Sequence, residues 1–313
     1  MRTCAASCPE SPSAAPFTQI SAVSYLNARP LVYGLQRWVP HRLGLQLSFD
    51  LPSRCAQKLA DGQAHIGLLP VIAYARIPDL VIADGIGIGT RTYVHTVLLV
   101  GEVPLEDIEE VLLDYSSSTS VSLLKILCRR KWGIQPRFIE TRPGYEAHIG
   151  GRTAGLVIGD RAFAHLQRWP YVYDLAREWV EWTGTGFVFA FWAGYPEHLT
   201  PERASLLRRS LEVGLSHRAH IARQWQQVHG GDAGFYLDYL QNRIEYYLAP
   251  VHLLGMQLFF ELAYAESLIP AVPQLRWIPS DLSREQIDAH HPPYAGQSPA
   301  SGTLEPGGGP PAL

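Results

Sequence analysis

Three short stretches of the chain carry residue types suited to holding an anion or positioning a reacting group. The first is Ser24-Tyr25-Leu26-Asn27-Ala28-Arg29-Pro30, where a phenol, an amide and a guanidinium precede a proline that fits a first helical turn. Asn27 and Arg29 then fall on the loop feeding that helix. Asn27 either caps the helix or faces a ligand, and Arg29 either points to solvent or binds an anion. The second is Asp114-Tyr115-Ser116-Ser117-Ser118-Thr119-Ser120, a run of hydroxyls where a strand gives way to a helix. Unpaired backbone N–H groups at such a start, together with hydroxyls, make a site for a carboxylate or phosphate. The alternative is an over-supplied N-cap. The third is Val157-Ile158-Gly159-Asp160, where Gly159 allows close backbone approach. Asp160 would stand at a helix start, favoured there by the dipole either as a cap or as a ligand-facing group.

Other chemistries lack their residues. Gly85-Ile86-Gly87-Ile88-Gly89 is followed by strand-like sequence, whereas a dinucleotide fingerprint needs a helix there, so a loop or bulge is expected. No GxxxxGK[ST] run and no GxSxG elbow occurs. His217 and His220 lie three apart on a charge-rich helix and read as an exposed face. His95 alternates with apolar neighbours and faces either a cleft or a satisfied partner. The cysteines, at 4, 8, 55 and 128, form no CxxC pair, which gives neither a zinc site nor a disulfide framework. Reduced thiols in a cytoplasmic protein, with no metal, are the expectation.

The elements that must position these residues alternate. Strands are expected at Ile20–Tyr25, Leu45–Leu51, His65–Leu69, Leu80–Ala83, Tyr93–Val100, Glu110–Asp114, Arg137–Glu140, Gly155–Ile158 and Phe187–Trp192. Helices are expected at Pro30–Gln36, from Pro52 to Gly62 with Ser53 as N-cap, at Pro70–Arg76, Thr119–Arg130 and Asp160–Gln167. From Thr200-Pro201 onward the pattern is helical only, with Gly234–Leu248 and Pro250–Ser267 as the last two helices. Such alternation argues for a mostly parallel sheet with helices on both faces, binding ligands at the carboxyl ends of strands.

The chain has 313 residues, enough for about two domains. Hydrophobic residues are 47% and charged residues 18%, ordinary for a globular protein. A net charge of −3 gives no general reason to bind nucleic acid, and no apolar run approaches the ~20 residues that span a bilayer. Residues 1–17 carry no secretory apolar core, and residues 292–313 hold six Pro and five Gly. Both are expected as flexible tails.

Taken in order, these segments resemble the chorismate dehydratase family of the futalosine route to menaquinone. The resemblance rests on Ser24-Tyr25-Leu26-Asn27-Ala28-Arg29-Pro30-Leu31 and Gly62-Gln63-Ala64-His65-Ile66-Gly67-Leu68-Leu69-Pro70. It is extended by Ser117-Ser118-Thr119-Ser120-Val121, Val157-Ile158-Gly159-Asp160, and Trp182-Thr183-Gly184 with Phe187-Val188-Phe189-Ala190. The sister branch, 1,4-dihydroxy-6-naphthoate synthase, is less similar, since it usually has Thr-Thr-Ala where this chain has Thr119-Ser120-Val121.

What the resemblance implies is a type II periplasmic-binding-protein-like α/β fold. Lobe one would comprise 18–97 plus 192–290 and lobe two 98–191, around a ligand cleft. It also implies dehydration of chorismate to 3-[(1-carboxyvinyl)oxy]benzoate without a cofactor. Asn27 and Thr96 would be catalytic, and Tyr25, Arg29, Ser117, Thr119, Ser120, Gly159 and Asp160 would bind substrate. Two departures stand out: Ser118 replaces the family's usual Arg, and Thr92-Tyr93-Val94-His95-Thr96 replaces Gly-Pro-Val-Arg-Ser. The competing reading is a non-catalytic binding or sensor protein of the same fold, because fold alone does not settle function.

Overall fold

The computed structural model describes residues 17–38 and 44–279. Residues 1–16 of the first expected tail, the whole of the second, Cys4, Cys8 and residues 280–290 lie outside the described residues. In chain order the elements begin with β1 (Thr18–Val23), a 3-10 turn at Leu26–Ala28, α1 (Arg29–Arg37), β2 (Leu45–Asp50) and α2 (Pro52–Ala60). They continue with β3 (Ile66–Pro70), α3 (Val71–Tyr74), β4 (Val81–Thr90), β5 (Val97–Gly101), β6 (Glu110–Leu113), α4 (Ser118–Ile126), β7 (Arg137–Glu140) and β8 (Thr153–Ile158). After a 3-10 segment at Gly159–His165 come β9 (Tyr171–Asp174), α5 (Leu175–Thr183), β10 (Phe187–Gly194), α6 (Pro201–Ser216) and α7 (Arg218–His229). The described chain ends with α8 (Ala233–Asp238), a π turn at Tyr239–Arg243, β11 (Glu245–Tyr247), α9 (Pro250–Ala265) and β12 (Trp277–Ile278).

Two sheets result. The first has the order β11-β4-β10-β3-β1-β2, with β12 also pairing β4; the second has the order β7-β6-β8-β5-β9. Strands β1, β2 and β3 are mutually parallel, whereas β10 runs antiparallel between β3 and β4. The chain leaves the first sheet after Thr90, enters the second at Val97, and returns at Phe187.

That return corrects one expected boundary. Phe187–Gly194 pairs wholly with β3 and β4, so Phe189 shares a sheet with Ile20 rather than belonging to 98–191. The strand is apolar and aromatic because it is covered on both faces in the middle of the first sheet.

Other expectations also change. The Gly85–Gly89 run is neither loop nor phosphate site but the interior of β4. A Cβ on Gly87 would stand 2.6 Å from the Ala190 carbonyl oxygen of β10, so glycine marks a close approach. The expected helix Gly234–Leu248 breaks into α8, the π turn and β11, because Glu245–Tyr247 pairs with β4. Tyr246 and Tyr247, both buried, suit a strand better than a helix. Strand β5 begins at Val97, not Tyr93, because His95 takes a left-handed backbone with φ of 60°. Ser53 is not the cap of α2: Leu51 holds that position, with Pro52 in the first turn. The expected helix Asp160–Gln167 is instead a 3-10 segment at Gly159–His165 followed by a turn, and β9 and α5 were not expected at all.

The C-terminal helices return to the first sheet. Helix α6 lies along α1, and the buried Ser210 hydroxyl links them, accepting the Leu35 N–H and donating to the Leu31 carbonyl, both at 2.9 Å. Gly214 on α6 faces the Pro30 backbone so closely that a Cβ there would lie 2.0 Å from the Pro30 oxygen. Backbone cannot step aside as a side chain can, so Gly214→Ala should destabilise the protein by about 1–3 kcal/mol, the usual cost of overpacking. Chemical denaturation measures this. An unchanged midpoint would show that α1 and α6 can separate freely, contrary to this packing.

Candidate active site

Each strand-to-helix junction singled out in the sequence lies where the two sheets face each other. The turn after β1 is tight because Leu26–Ala28 coil before α1 begins with Pro30 in its first turn. The caps of both elements lack a side-chain bond, so Asn27 is not a helix cap. Its buried Oδ1 has no partner, while its side-chain amide hydrogen-bonds the Tyr239 phenol.

The start of α4 is held by its own hydroxyls. Ser117 is the N-cap, and its Oγ accepts the Ser120 N–H at 3.3 Å and lies 3.0 Å from the Ser120 hydroxyl. Before it, Asp114 Oδ1 accepts the Ser116 N–H at 2.7 Å and its hydroxyl at 2.5 Å. Asp114 Oδ2 pairs with Arg161, which also pairs with Glu146. The serine loop is thus tethered by a buried carboxylate.

Hydrogen bonds cross between the two sheets' layers around these loops. The Tyr25 hydroxyl lies 3.0 Å from Ser116 Oγ, and the Ser53 N–H donates to the Ser116 carbonyl at 3.0 Å. The Ile72 N–H donates to Thr119 Oγ1 at 3.3 Å, and the Leu26 N–H reaches both Asp160 oxygens at 3.1 and 3.2 Å. Burial raises the Tyr25 phenol to about 12. Burial also raises the Asp160 carboxyl to about 7, opposed by the Leu26 N–H and by Arg29. Gly159 adopts φ of 67° beneath the Tyr25 ring, where a Cβ would come within 2.6 Å of ring carbon. Only glycine meets both demands.

Thr96 stands on the first crossing between the sheets. Its hydroxyl lies 3.0 Å from the Tyr239 hydroxyl and 3.3 Å from the Val94 carbonyl. Asp174 Oδ2 accepts the N–H groups of Val94 and His95 at 3.0 and 2.7 Å, and Oδ1 accepts those of Ala176 and Arg177 at 3.0 and 3.2 Å. His95 packs against Tyr93, with ring centroids 4.6 Å apart. Burial, then Arg243 and Arg177, holds its imidazole below the ordinary range, so it is neutral near pH 7.

These groups surround one cavity with about 540 Å³ of atom-free space, the open solvent at its mouth included. Of the expected site residues, Tyr25, Asn27, Thr96, Ser117, Thr119, Ser120 and Gly159 line it. Apolar walls come from Pro70, Ile88, Phe189 and Ile244, among others. Arg29 and Asp160 do not line it. The Arg29 guanidinium lies 4.8 Å from the Phe49 ring and 5.2 Å from the Trp225 ring, and donates to the Ser24 carbonyl at 3.0 Å. Asp160 instead joins the two layers through Leu26. No Asp, Glu, His, Lys or Arg is among the described residues lining the cavity.

Cys55 and Cys128 are buried free thiols, both pushed up to about 12 by burial, and neither lines the cavity. Among the described residues no cluster of three or more metal-ligating side chains occurs, and no helix is long and apolar enough to cross a membrane. Sequence reasoning missed Tyr239 and Asp174. Asp174 had a local signal, an N-cap residue ahead of an amphipathic run. Tyr239 had none, because the groups its hydroxyl meets lie more than a hundred residues away in the chain.

Comparison with known proteins agrees with this architecture. Chorismate dehydratase from Thermus thermophilus is 27% identical over 260 residues, 74% of this chain and 95% of that protein. Among solved structures, a protein of Archaeoglobus fulgidus superposes with a TM-score of 0.63 at 14% identity, covering 80% of this chain and 98% of its own. The alkanesulfonate-binding protein of Xanthomonas axonopodis, bound to MOPS, gives 0.60 at 15% identity, covering 86% and 100%. At such identities the structural likeness establishes the periplasmic-binding-protein-like fold and nothing about the ligand. The family model described as menaquinone biosynthesis matches residues 18–265, through every element that builds the cavity, and the chain belongs to that family.

Proposed function

We propose that the protein is a hydro-lyase that dehydrates chorismate to 3-[(1-carboxyvinyl)oxy]benzoate for menaquinone biosynthesis, acting in the cytoplasm and without a cofactor. One observation carries the reading. In a chain 27% identical to a chorismate dehydratase, Asn27, Thr96 and the hydroxyl-rich start of α4 meet at a single cavity.

The reaction breaks a ring C–H and the neighbouring C–OH bond. The proton and the hydroxyl leave together as water, and the ring becomes aromatic. That product gain reduces the protein's task to orienting substrate, placing a base and assisting the leaving hydroxyl. The cavity walls supply no side chain that accepts a proton readily near pH 7. A substrate carboxylate therefore serves as the base. Asn27 Oδ1, buried and unpaired, accepts a hydrogen bond from the substrate and fixes the ring. The Thr96 hydroxyl, turning its proton from the Val94 carbonyl, donates a hydrogen bond to the departing oxygen.

The other carboxylate sits at the start of α4. Ser117 occupies the Ser120 N–H, and helix geometry leaves the N–H groups of the first turn before it for an anion. Thr119 Oγ1 accepts from Ile72, which leaves its own proton to donate into the cavity. Ser118 does not line the cavity, so the hydroxyls and the helix start carry the recognition that the family's usual Arg would share.

Incubation of the purified protein with chorismate tests the reading. The cyclohexadiene absorbance should fall while carboxyvinyloxy-benzoate accumulates by mass spectrometry. Stoichiometric binding by folded protein without turnover would identify a binding or sensor protein instead. Two variants separate the roles. Thr119→Val keeps the branched shape and removes a charge-assisted hydrogen bond worth about 1.5–3 kcal/mol, so KM should rise at least about ten-fold with kcat little changed. Asn27→Ala should lower kcat about a hundred-fold with a smaller effect on KM, as expected for an interaction strongest in the transition state. Equal, small kinetic effects from both, with lowered melting temperatures, would assign the two residues to structure alone.

A further inference from the structure

Tyr239 belongs to neither loop that builds the cavity, yet it touches the side chains proposed to act there. It is 1% exposed, and it opens the π turn between α8 and β11. Turns of this kind are uncommon inside helices and concentrate at functional sites. Its ring is locked edge-on against Phe163, with centroids 5.1 Å apart. Its hydroxyl lies 3.0 Å from Thr96 Oγ1 on the crossing and accepts from the Asn27 side-chain amide on the turn after β1.

A phenol hydroxyl has one proton and two lone pairs, enough to serve both neighbours at once. An asparagine side chain has two faces that differ only in which end donates. Whatever binds the NH₂ end decides where the carbonyl end goes. Here the NH₂ end is held by Tyr239, and Oδ1 remains buried and unpaired on a residue that lines the cavity. Leaving such an acceptor unpaired in the protein interior is costly unless a ligand satisfies it.

We infer that Tyr239 is a positioning residue: its hydroxyl joins Asn27 to Thr96 and presents the Asn27 carbonyl oxygen and the Thr96 hydroxyl to one ligand in fixed relation. The inference rests on the dehydratase reading for its kinetic consequence but not for its geometric one. Tyr239 touches no substrate and acts only through its two neighbours.

Tyr239→Phe keeps the ring and deletes the bridge. Its melting temperature should stay close to that of the parent protein. On chorismate, kcat should fall about ten-fold, equivalent to about 1.4 kcal/mol, with KM within about two-fold. Thr96→Val removes the bridge from the other side, and the double variant should be less impaired than the product of the two single effects. The 313-residue chain contains two asparagines, Asn27 and Asn242, so [¹⁵N]asparagine labelling gives two side-chain amide signals. The Asn27→Ser variant assigns them.

In Tyr239→Phe the Asn27 signal should move and its protons should exchange faster. The Asn242 signal, from an amide bonded to Asp238 at 2.7 Å beside the π turn, should stay in place as a reporter of local fold. An unmoved Asn27 signal overturns the inference, as does unchanged kcat in an active protein. If the parent protein is inert toward chorismate, the dehydratase reading fails while the Asn27 signal still decides the role of Tyr239. If Tyr239→Phe does not fold, Thr96→Val must move the Asn27 signal, and its failure to do so overturns the inference equally.

Discussion

Asp174 is a buried carboxylate that accepts four backbone N–H groups, two from the crossing at Val94 and His95 and two from the first turn of α5. Burial raises its carboxyl above the ordinary range, while those N–H groups favour the charged form. The left-handed backbone of His95 is affordable because its N–H is gripped in this way, and histidine is among the side chains that tolerate that conformation best. Without that bend β5 would begin earlier and Thr96 would take a strand position. One carboxylate therefore starts a helix, ends a linker and delivers a hydroxyl to the cavity.

The cavity is assembled from parts that no single layer holds. Asn27 belongs to the first sheet's loops, Thr96 to the crossing, and Ser117, Thr119 and Ser120 to the second sheet. The bonds from Ser53, Leu26 and Ile72 all start at backbone N–H groups of the first layer and end on acceptors of the second. Backbone donors are placed by the fold itself and lose no side-chain freedom when they bond. The second layer answers with Ser116, Asp160 and Thr119, which explains why its polar groups cluster at strand ends.

Sequence reading found what is local and missed what is long-range. The turn at Asn27, the α4 start at Ser117 and the bend at Gly159 were legible because proline, serine and glycine declare their backbone roles within a few residues. The strand through Gly85–Gly89 was not legible, since its glycines answer to β10 and to Leu248, far along the chain. Nor was β11, whose strand state depends on pairing with β4. Arg29 was read as a ligand-facing cation. Its environment between Phe49 and Trp225 comes from β2 and α7, which no neighbouring residue announces.

The uncharged walls of the cavity bear on how an anion would reach it. The neutral cavity walls supply no attractive charge to draw a dianion inward, and a net charge of −3 on the chain adds none. Capture would then depend on encounter frequency rather than on attractive steering. Discrimination begins only after the ligand sheds water, when each of its oxygens either meets a hydroxyl or N–H or is left bare. A neutral cavity of this kind selects by the count and direction of donors, so it rejects an anion of the right charge and the wrong shape.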